Sequence, residues 1–541
     1  MNARSWLMVG VVCLAVGAAV VAGLTRAQAP APGPAAQLRQ LAYLKASNAG
    51  MSDHFGCGGS LPGHIGNALA ISGDGNTVAV GAPHESSASR GINGNEDDDS
   101  LHASGAVYVF VRQGQAWTQQ AYIKASNPGQ SDNFGSSVAL SADGSTLAVS
   151  AFWEASAATG VNGNQHDDSM PQAGAVYVFS RAGSAWSQQA YVKASNTGRG
   201  GEGDELGDGD QFGFSLALSG DGNTLAVGAV SEDSNATGID GNQSDDSASS
   251  AGAVYLYTRT GAAWAQGPYL KGSNTEGGDL FGYGVALNDD GSALAVAAYD
   301  EDGSGKSVNP VQDNELPGTG AVYAFSRAAG TWRETAYMKG SRSQRNDALG
   351  YTIAMSGDGN TIAAGTAEES CLVGGISPSG CDTDTFPEEL AAGSAGAAYV
   401  WVRNGDAWSE QAFIKASNPD LEDWFAVRLA LSSDGHTLLV GAPMEDGSAR
   451  GLDGPDNDDA QDAGAAYVYT RSGTTWSQQA YIKGANTEAF DEFGSSVAVS
   501  GDGSTMVIGA RAESGGSGGI NGNPDSNDAP EAGAAYLFGR N

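Results

Sequence analysis

The chain repeats itself seven times. Phe-Gly starts a unit at Phe55, Phe134, Phe212, Phe281 and Phe493, and it is altered to Leu349-Gly350 and Phe425-Ala426. The period is roughly 70 to 80 residues, and self-similarity at a fixed period points to a repeat architecture before any local propensity is weighed. Each unit reads alike. "FGSSVALS" (Phe134 to Ser141) alternates as a strand does, "ADGS" turns, and "TLAVSA" (Thr146 to Ala151) follows. A long polar loop then leads to "GAVYVF" (Gly174 to Phe179) and to "WSQQAYVKAS" (Trp186 to Ser195). That makes four short β-rich runs per unit, separated by turn residues. Asp-Gly sits between the first two runs in every unit, at Asp74, Asp143, Asp221, Asp290, Asp358, Asp434 and Asp502. Glycine supplies the positive φ that a tight hairpin needs. The "AVYVF" runs are apolar on both faces, as a strand packed between two neighbours must be.

Four-stranded units repeated about an axis make a β-propeller. The fourth-strand Trp occurs at Trp117, Trp186, Trp264, Trp332, Trp408 and Trp476, but the seventh unit stops at "GAAYLFGRN". The missing copy is at the start, as "LRQLAYLKASN" (Leu38 to Asn48). The expected fold is therefore all-β: a single seven-bladed propeller over residues 37–541, its ring closed by the N-terminal strand. The units resemble FG-GAP repeats, the blades of the propeller at the N-terminus of integrin α chains. Phe55-Gly56, Gly81-Ala82-Pro83 and Gly105 to Phe110, with their equivalents, carry the likeness. The resemblance implies an extracellular, ligand-binding propeller with calcium in some blades. The family's calcium loop, D-x-[DN]-x-D-G-x-x-D between the first two strands, is reduced here to "SGDGNT" (Ser72 to Thr77), so that site is not carried over.

Three polar positions recur in all seven units. They are an Asp two residues before Phe-Gly (Asp53, Asp132, Asp210, Asp279, Asp347, Asp423, Asp491) and a Glu after the second strand (Glu85, Glu154, Glu232, Glu301, Glu369, Glu445, Glu513). The third is a Lys ending the fourth strand (Lys45, Lys124, Lys193, Lys271, Lys339, Lys415, Lys483). Antiparallel order puts all three on one rim. A reaction needs one constellation, so groups present in every blade read as architecture. Asp is expected to accept hydrogen bonds from loop amides, and Glu to pair with Lys.

The loop between second and third strands lies on that rim and is longer than a hairpin needs. Five loops share an Asn/Asp pattern: Asn93, Asn95, Asp98 and Asp99; Asn162, Asn164, Asp167 and Asp168; Asp240, Asn242, Asp245 and Asp246; Asp453, Asp458 and Asp459; and Asn521, Asn523 and Asp525. Calcium takes six to eight such oxygens, which makes these loops candidate calcium sites. Asn and Asp also bond their own backbone and organise turns without metal, and both readings stand at this point. A second acidic run, "GEGDELGDGD" (Gly201 to Asp210), is an additional cation site or a solvated insertion. Units four and five depart from the pattern, with "GKSVNPVQDNELPG" (Gly305 to Gly318) and "DTDTFPEEL" (Asp382 to Leu390). Irregular loops on a rigid scaffold are where a specific partner would be read. Trp153 and Trp424 stand outside the repeating Trp position and are binding aromatics or packing residues.

Acids outnumber bases by 62 to 26. That excess argues against nucleic acid or anionic lipid as a partner. Arg4 and the apolar run Trp6 to Leu24 read as a signal peptide or an uncleaved membrane anchor over residues 1–29, followed by a Pro/Ala linker over 30–36. Either reading puts the rest outside the cytoplasm, where a Cys371–Cys381 disulfide across one loop is expected. Cys57 has no obvious partner in the sequence. The six histidines, His54, His64, His84, His102, His166 and His436, recur at no shared position. Three functions remain: a monomeric binding or adhesion protein for a protein or glycan ligand, a polysaccharide-acting enzyme, and a structural coat component. The first is expected.

Overall fold

The computed structural model describes residues 38–58, 66–198, 209–378, 381, 393–455 and 457–540. The expected leader or anchor and linker, most of the acidic run at Gly201 and the "DTDTFPEEL" loop lie outside these residues. Seven antiparallel sheets, each of four main strands, stand around one axis, and no α-helix occurs among the described residues. In the third blade the strands are Phe212–Leu218, Thr224–Ala229, Ala253–Thr260 and Ala263–Leu270, from inside to outside. The N-terminal strand Leu38–Leu44 pairs with Ala534–Arg540 and so supplies the outer strand of the last blade. A ring closed in this way leaves no unit to fray alone.

Neighbouring blades are joined twice through the backbone. At the hairpin end of the axis, seven N–H to O=C bonds of 2.8–3.2 Å run from blade to blade. They pass from Gly73 through Ala142, Asp289, Gly357 and Ser433 to Gly501, which donates back to Gly73 at 3.0 Å. At the loop end, the N–H of each unit's opening Phe or Leu donates to the previous blade, as Phe134 does to Ser104 at 3.2 Å. There the glycine before each third strand has positive φ, and an added Cβ on Gly105 would lie 2.0 Å from the Phe134 carbonyl oxygen. Any side chain at Gly105 would push two blades apart. Between the sheets, apolar side chains of adjacent blades form seven contiguous clusters. This is the requirement that the doubly apolar "AVYVF" runs announced.

Two features differ from a plain four-stranded blade. Phe-Gly does not begin a regular strand: the register shifts just after it, between Phe212 and Leu216 for instance, and Gly213 sits at φ +97°. Each long loop also adds a short fifth strand at the outer edge. Ser307–Val308 pairs with the fourth strand of blade four, and single bridges such as Ile92 to Ile123 and Val161 to Val192 do so in the other blades.

Candidate functional site

On the loop-bearing rim, all seven Glu–Lys pairs form within single blades, with Lys side chains fully buried and Glu nearly so. Lys124 Nζ lies 2.7 Å from Glu85 Oε2, and Lys193 Nζ lies 3.0 Å from Glu154 Oε2. The remaining lone pairs of each Glu are also used. Glu154 accepts the hydroxyl of Tyr191 (2.9 Å), the amide of Asn127 from the preceding blade (2.9 Å) and the backbone N–H of Ser156 (3.1 Å). The same Asn receives Tyr177 through its Oδ1. A buried ion pair is tolerable when its spare lone pairs are satisfied in this way. Each Asp before Phe-Gly accepts an amide three residues back or, for Asp210, from Gly198. Burial pushes these carboxyls up, against the pull of that amide: Asp53 to about 6, Asp132 and Asp491 to about 7, and Asp210, Asp279 and Asp423 to about 8. In every blade the Glu and Lys of this recurring set are thus bonded to each other and the Asp to a loop amide.

Blade five is the exception. Phe413 replaces the Tyr and Arg342 replaces the Asn, and the two stack with the guanidinium 4.5 Å from the ring centroid. Glu369 still holds Lys415, and it takes the N–H of Cys371, whose sulfur is bonded to Cys381. Arg342 offers no side-chain acceptor, so among the described residues the buried Tyr399 hydroxyl lacks the Asn Oδ1 that receives its counterparts.

The candidate calcium residues divide by position. The first of each loop holds the fifth-strand edge. Asn93 at φ +56° donates to Tyr122 O (2.7 Å) and accepts Tyr122 N–H through Oδ1 (3.0 Å). Asn162, Asp240, Asp453 and Asn521 do the same with Tyr191, Tyr269, Tyr481 and Tyr43. Asn95, Asn164, Asn242 and Asn523 each accept the N–H two residues on. Asp98, Asp167 and Asp245 close the next turn likewise. Asp99, Asp168 and Asp246 stand within electrostatic reach of Asp53, Asp132 and Asp210. Asp458 and Asp459 are exposed, and Asp525 lies 3.7 Å from Arg450. Among the described residues no three carboxylates of these loops come within 4.8 Å of one another. The one triple that close is Glu369 with Cys371 and Cys381, whose sulfurs the disulfide withdraws from ligation.

What does not repeat lies on the same rim. Six large apolar side chains are exposed among the described residues: Met51, Val311, Leu372, Val373, Leu421 and Phe490. All six sit on loops joining second to third strands or one blade to the next, and so on this rim. Phe490 is 54 % exposed and held at φ +69°, where other blades place Ser52, Ser131, Gly278, Asn346 and Glu422. A bulky residue in the left-handed region is an outlier that invites a functional reading. At the axis, blades two to six contribute an aromatic plug of Phe152, Phe214, Tyr283 and Tyr351, with Trp153 and Trp424 half-buried against it. Trp153 and Trp424 are thus packing residues. Blades seven and one contribute polar groups instead. The ring centroids of His54 and His84 lie 4.4 Å apart with the planes tilted by 34°, His54 Nε2 lies 3.5 Å from Glu531, and Arg511 pairs with Glu492 within electrostatic reach of Cys57. Burial, with help from His54, His102 and Arg511, pushes His84 down to about 4, so it is neutral at physiological pH. The sequence spreads these residues over four loops. Their signal was that four of the six histidines fall between His54 and His102.

The FG-GAP repeat family matches residues 117–179, 408–469 and 476–538. Each span runs from the outer strand of one blade to the third strand of the next, the same offset that lets the N-terminal strand close the ring. No curated protein matches the chain. The chain thus carries FG-GAP repeats in three places within a seven-bladed β-propeller, consistent with an integrin-α-like N-terminal propeller.

Proposed function

We propose that the chain is a non-enzymatic binding propeller that acts outside the cytoplasm as a monomer and docks a protein partner on its loop-bearing rim. One observation carries the reading: every exposed large apolar side chain among the described residues is on that rim. Apolar anchors among polar surroundings are what a protein interface selects. The strained, exposed Phe490 adds to it, as does the resemblance to propellers of extracellular ligand-binding chains. We read the acidic loops as organised by their turn hydrogen bonds rather than by calcium.

The test compares capture of cell-surface and extracellular proteins by the purified protein and two variants. Val311→Ser, Leu421→Ser and Phe490→Asn together remove rim anchors. Gln115→Ala alters a hairpin on the opposite rim. Capture lost with the first variant and kept with the second supports the reading, and equal capture by all three contradicts it. A second reading, a polysaccharide-acting enzyme, is favoured by the close pair of buried His54 and half-buried His84 beside Glu531 and Arg511. Glycan cleavage abolished by His84→Ala would establish it in place of the first.

A further inference from the structure

Blade one places a histidine at two positions where no other blade has one. His54 stands immediately before Phe55, and His84 immediately before Glu85. At those positions blade two has Asn133 and Trp153, and blade three has Gln211 and Ser231. The backbone holds both residues. His54 sits at φ +54° and gives its N–H to Glu531 O at 3.2 Å, while His84 O accepts the Ser86 hydroxyl at 3.0 Å. His54 is 6 % exposed, whereas His84 is half-buried and open to solvent.

One nitrogen of this pair lacks a partner. A neutral imidazole has one N–H donor and one acceptor nitrogen. His54 turns Nε2 to Glu531 Oε2 at 3.5 Å, and its buried Nδ1 has no hydrogen-bond partner among the described residues. With the proton on Nε2, facing the carboxylate, Nδ1 is left as an orphan lone pair, which is costly in a buried place. A histidine whose far nitrogen faces a carboxylate is also the usual form of a metal ligand. The spacing of the second ring fits the same use. With metal–nitrogen bonds of about 2.0 Å and about 1.2 Å from nitrogen to ring centroid, two imidazoles at about 90° place their centroids about 4.5 Å apart. The tetrahedral angle would place them about 5.2 Å apart. The separation of 4.4 Å therefore suits two ligands in a cis arrangement. The charged groups beside the rings are two carboxylates, Glu492 and Glu531, and one guanidinium, Arg511, a balance that favours a cation. Among the described residues no further His, Cys, Asp or Glu completes a triple within 4.8 Å here, so water would take the remaining positions.

We propose that His54 and His84 bind a divalent transition metal of the copper–nickel class, His54 through Nδ1. Two cis imidazoles with water oxygens make the tetragonal N,O set that these ions prefer, and Cu²⁺ binds such a set most tightly. Calcium, which takes six to eight oxygens, does not suit it. The site uses none of the rim's apolar anchors and requires no glycan cleavage, so it stands or falls apart from both readings given above.

The test is titration of the purified protein, treated with EDTA and desalted, with Cu²⁺, read by calorimetry and electron paramagnetic resonance. We expect one tightly held Cu²⁺ per chain, with splitting from two nitrogens, that excess Ca²⁺ does not displace. His54→Asn and His84→Ser, residues that blades two and three use at these positions, should each weaken Cu²⁺ by at least about tenfold. Asn133 already occupies φ +55°, so the first change suits the backbone. His436→Asn, in an exposed hairpin turn, should bind as the wild type does. Should His54→Asn not fold, His84→Ser and the nitrogen count on the wild type decide. No saturable Cu²⁺ binding, a spectrum without two nitrogens, displacement by Ca²⁺, or loss of binding in His436→Asn overturns the proposal. So does wild-type affinity in a folded His54→Asn or His84→Ser protein.

Discussion

Replacing Glu154 by Gln tests the claim that the recurring acids are architecture. The substitution keeps the shape and removes the charge. Lys193 is then fully buried without its counter-ion at 3.0 Å, and Tyr191, Asn127 and the Ser156 amide lose a charged acceptor. Stranding one partner of a buried ion pair costs about 3–5 kcal/mol. Unfolding entropy is about 2.1 cal/mol/K per residue, so a ring of roughly 500 residues loses about 1 kcal/mol of stability per degree, and the melting temperature should fall by about 3–5 °C. Removing both charges, with Glu154→Gln and Lys193→Met together, leaves no stranded ion and should restore much of the loss. The assay is thermal unfolding by circular dichroism and calorimetry across the four proteins of this cycle. A Glu154→Gln protein that melts within a degree of wild type, or a double variant worse than both singles combined, would refute the reasoning.

Other outcomes follow from the same structure. Burial raises every Asp carboxyl before Phe-Gly above the 3.8 of the free side chain, Asp53 to about 6, Asp132 and Asp491 to about 7, and Asp210, Asp279 and Asp423 to about 8. Between about pH 4 and 8 the folded ring therefore holds more protons than the unfolded chain, and stability falls as pH rises. The melting temperature should be higher at pH 5.5 than at pH 8, and the reverse order would contradict the assignment. The buried lysines, whose pKa values burial lowers, act in the opposite sense at higher pH. Phe490→Asn places a residue tolerant of positive φ at +69° and should raise the melting temperature slightly; a drop of several degrees would mean that Phe490 packs in the fold. Removing residues 1–45 deletes the strand Leu38–Leu44 and Lys45, exposes the edge of Ala534–Arg540 and strands Glu513. The product should aggregate or lose cooperative unfolding, which light scattering and calorimetry would show.

Most of the ring was legible in the sequence because each blade restates the same physical need. Asp-Gly marks the hairpins, the doubly apolar third strand marks burial between sheets, and the displaced "LRQLAYLKASN" marks the closing strand. Position alone also foretold the Glu–Lys pairs and the Asp–amide bonds. The fifth strand was not visible, because one or two paired residues such as Ile92 leave no alternation to read. The Tyr and Asn that complete each Glu site repeat as plainly as Lys in "AYIKASN", yet only three dimensions show that Asn reaches the next blade. Blade five shows the coupling by breaking it, since Phe413 and Arg342 depart together. The meeting of His54 and His84 at the axis was hidden for the opposite reason: the histidines recur at no shared position, and a repeat-based reading averages single residues away.

Thermal unfolding in calcium and in EGTA at fixed ionic strength tests the central claim, that the recurring oxygens of the rim are committed to the fold. A ligand of the native state at a hundredfold excess over its dissociation constant adds about 2.7 kcal/mol per site, and five loops would multiply that. The account predicts melting temperatures equal within a degree, because Asn93, Asn95 and Asp98 and their counterparts already accept backbone amides. A rise of several degrees in calcium, abolished by Asp98→Asn with Asp99→Asn, would contradict it and make the acidic loops metal sites.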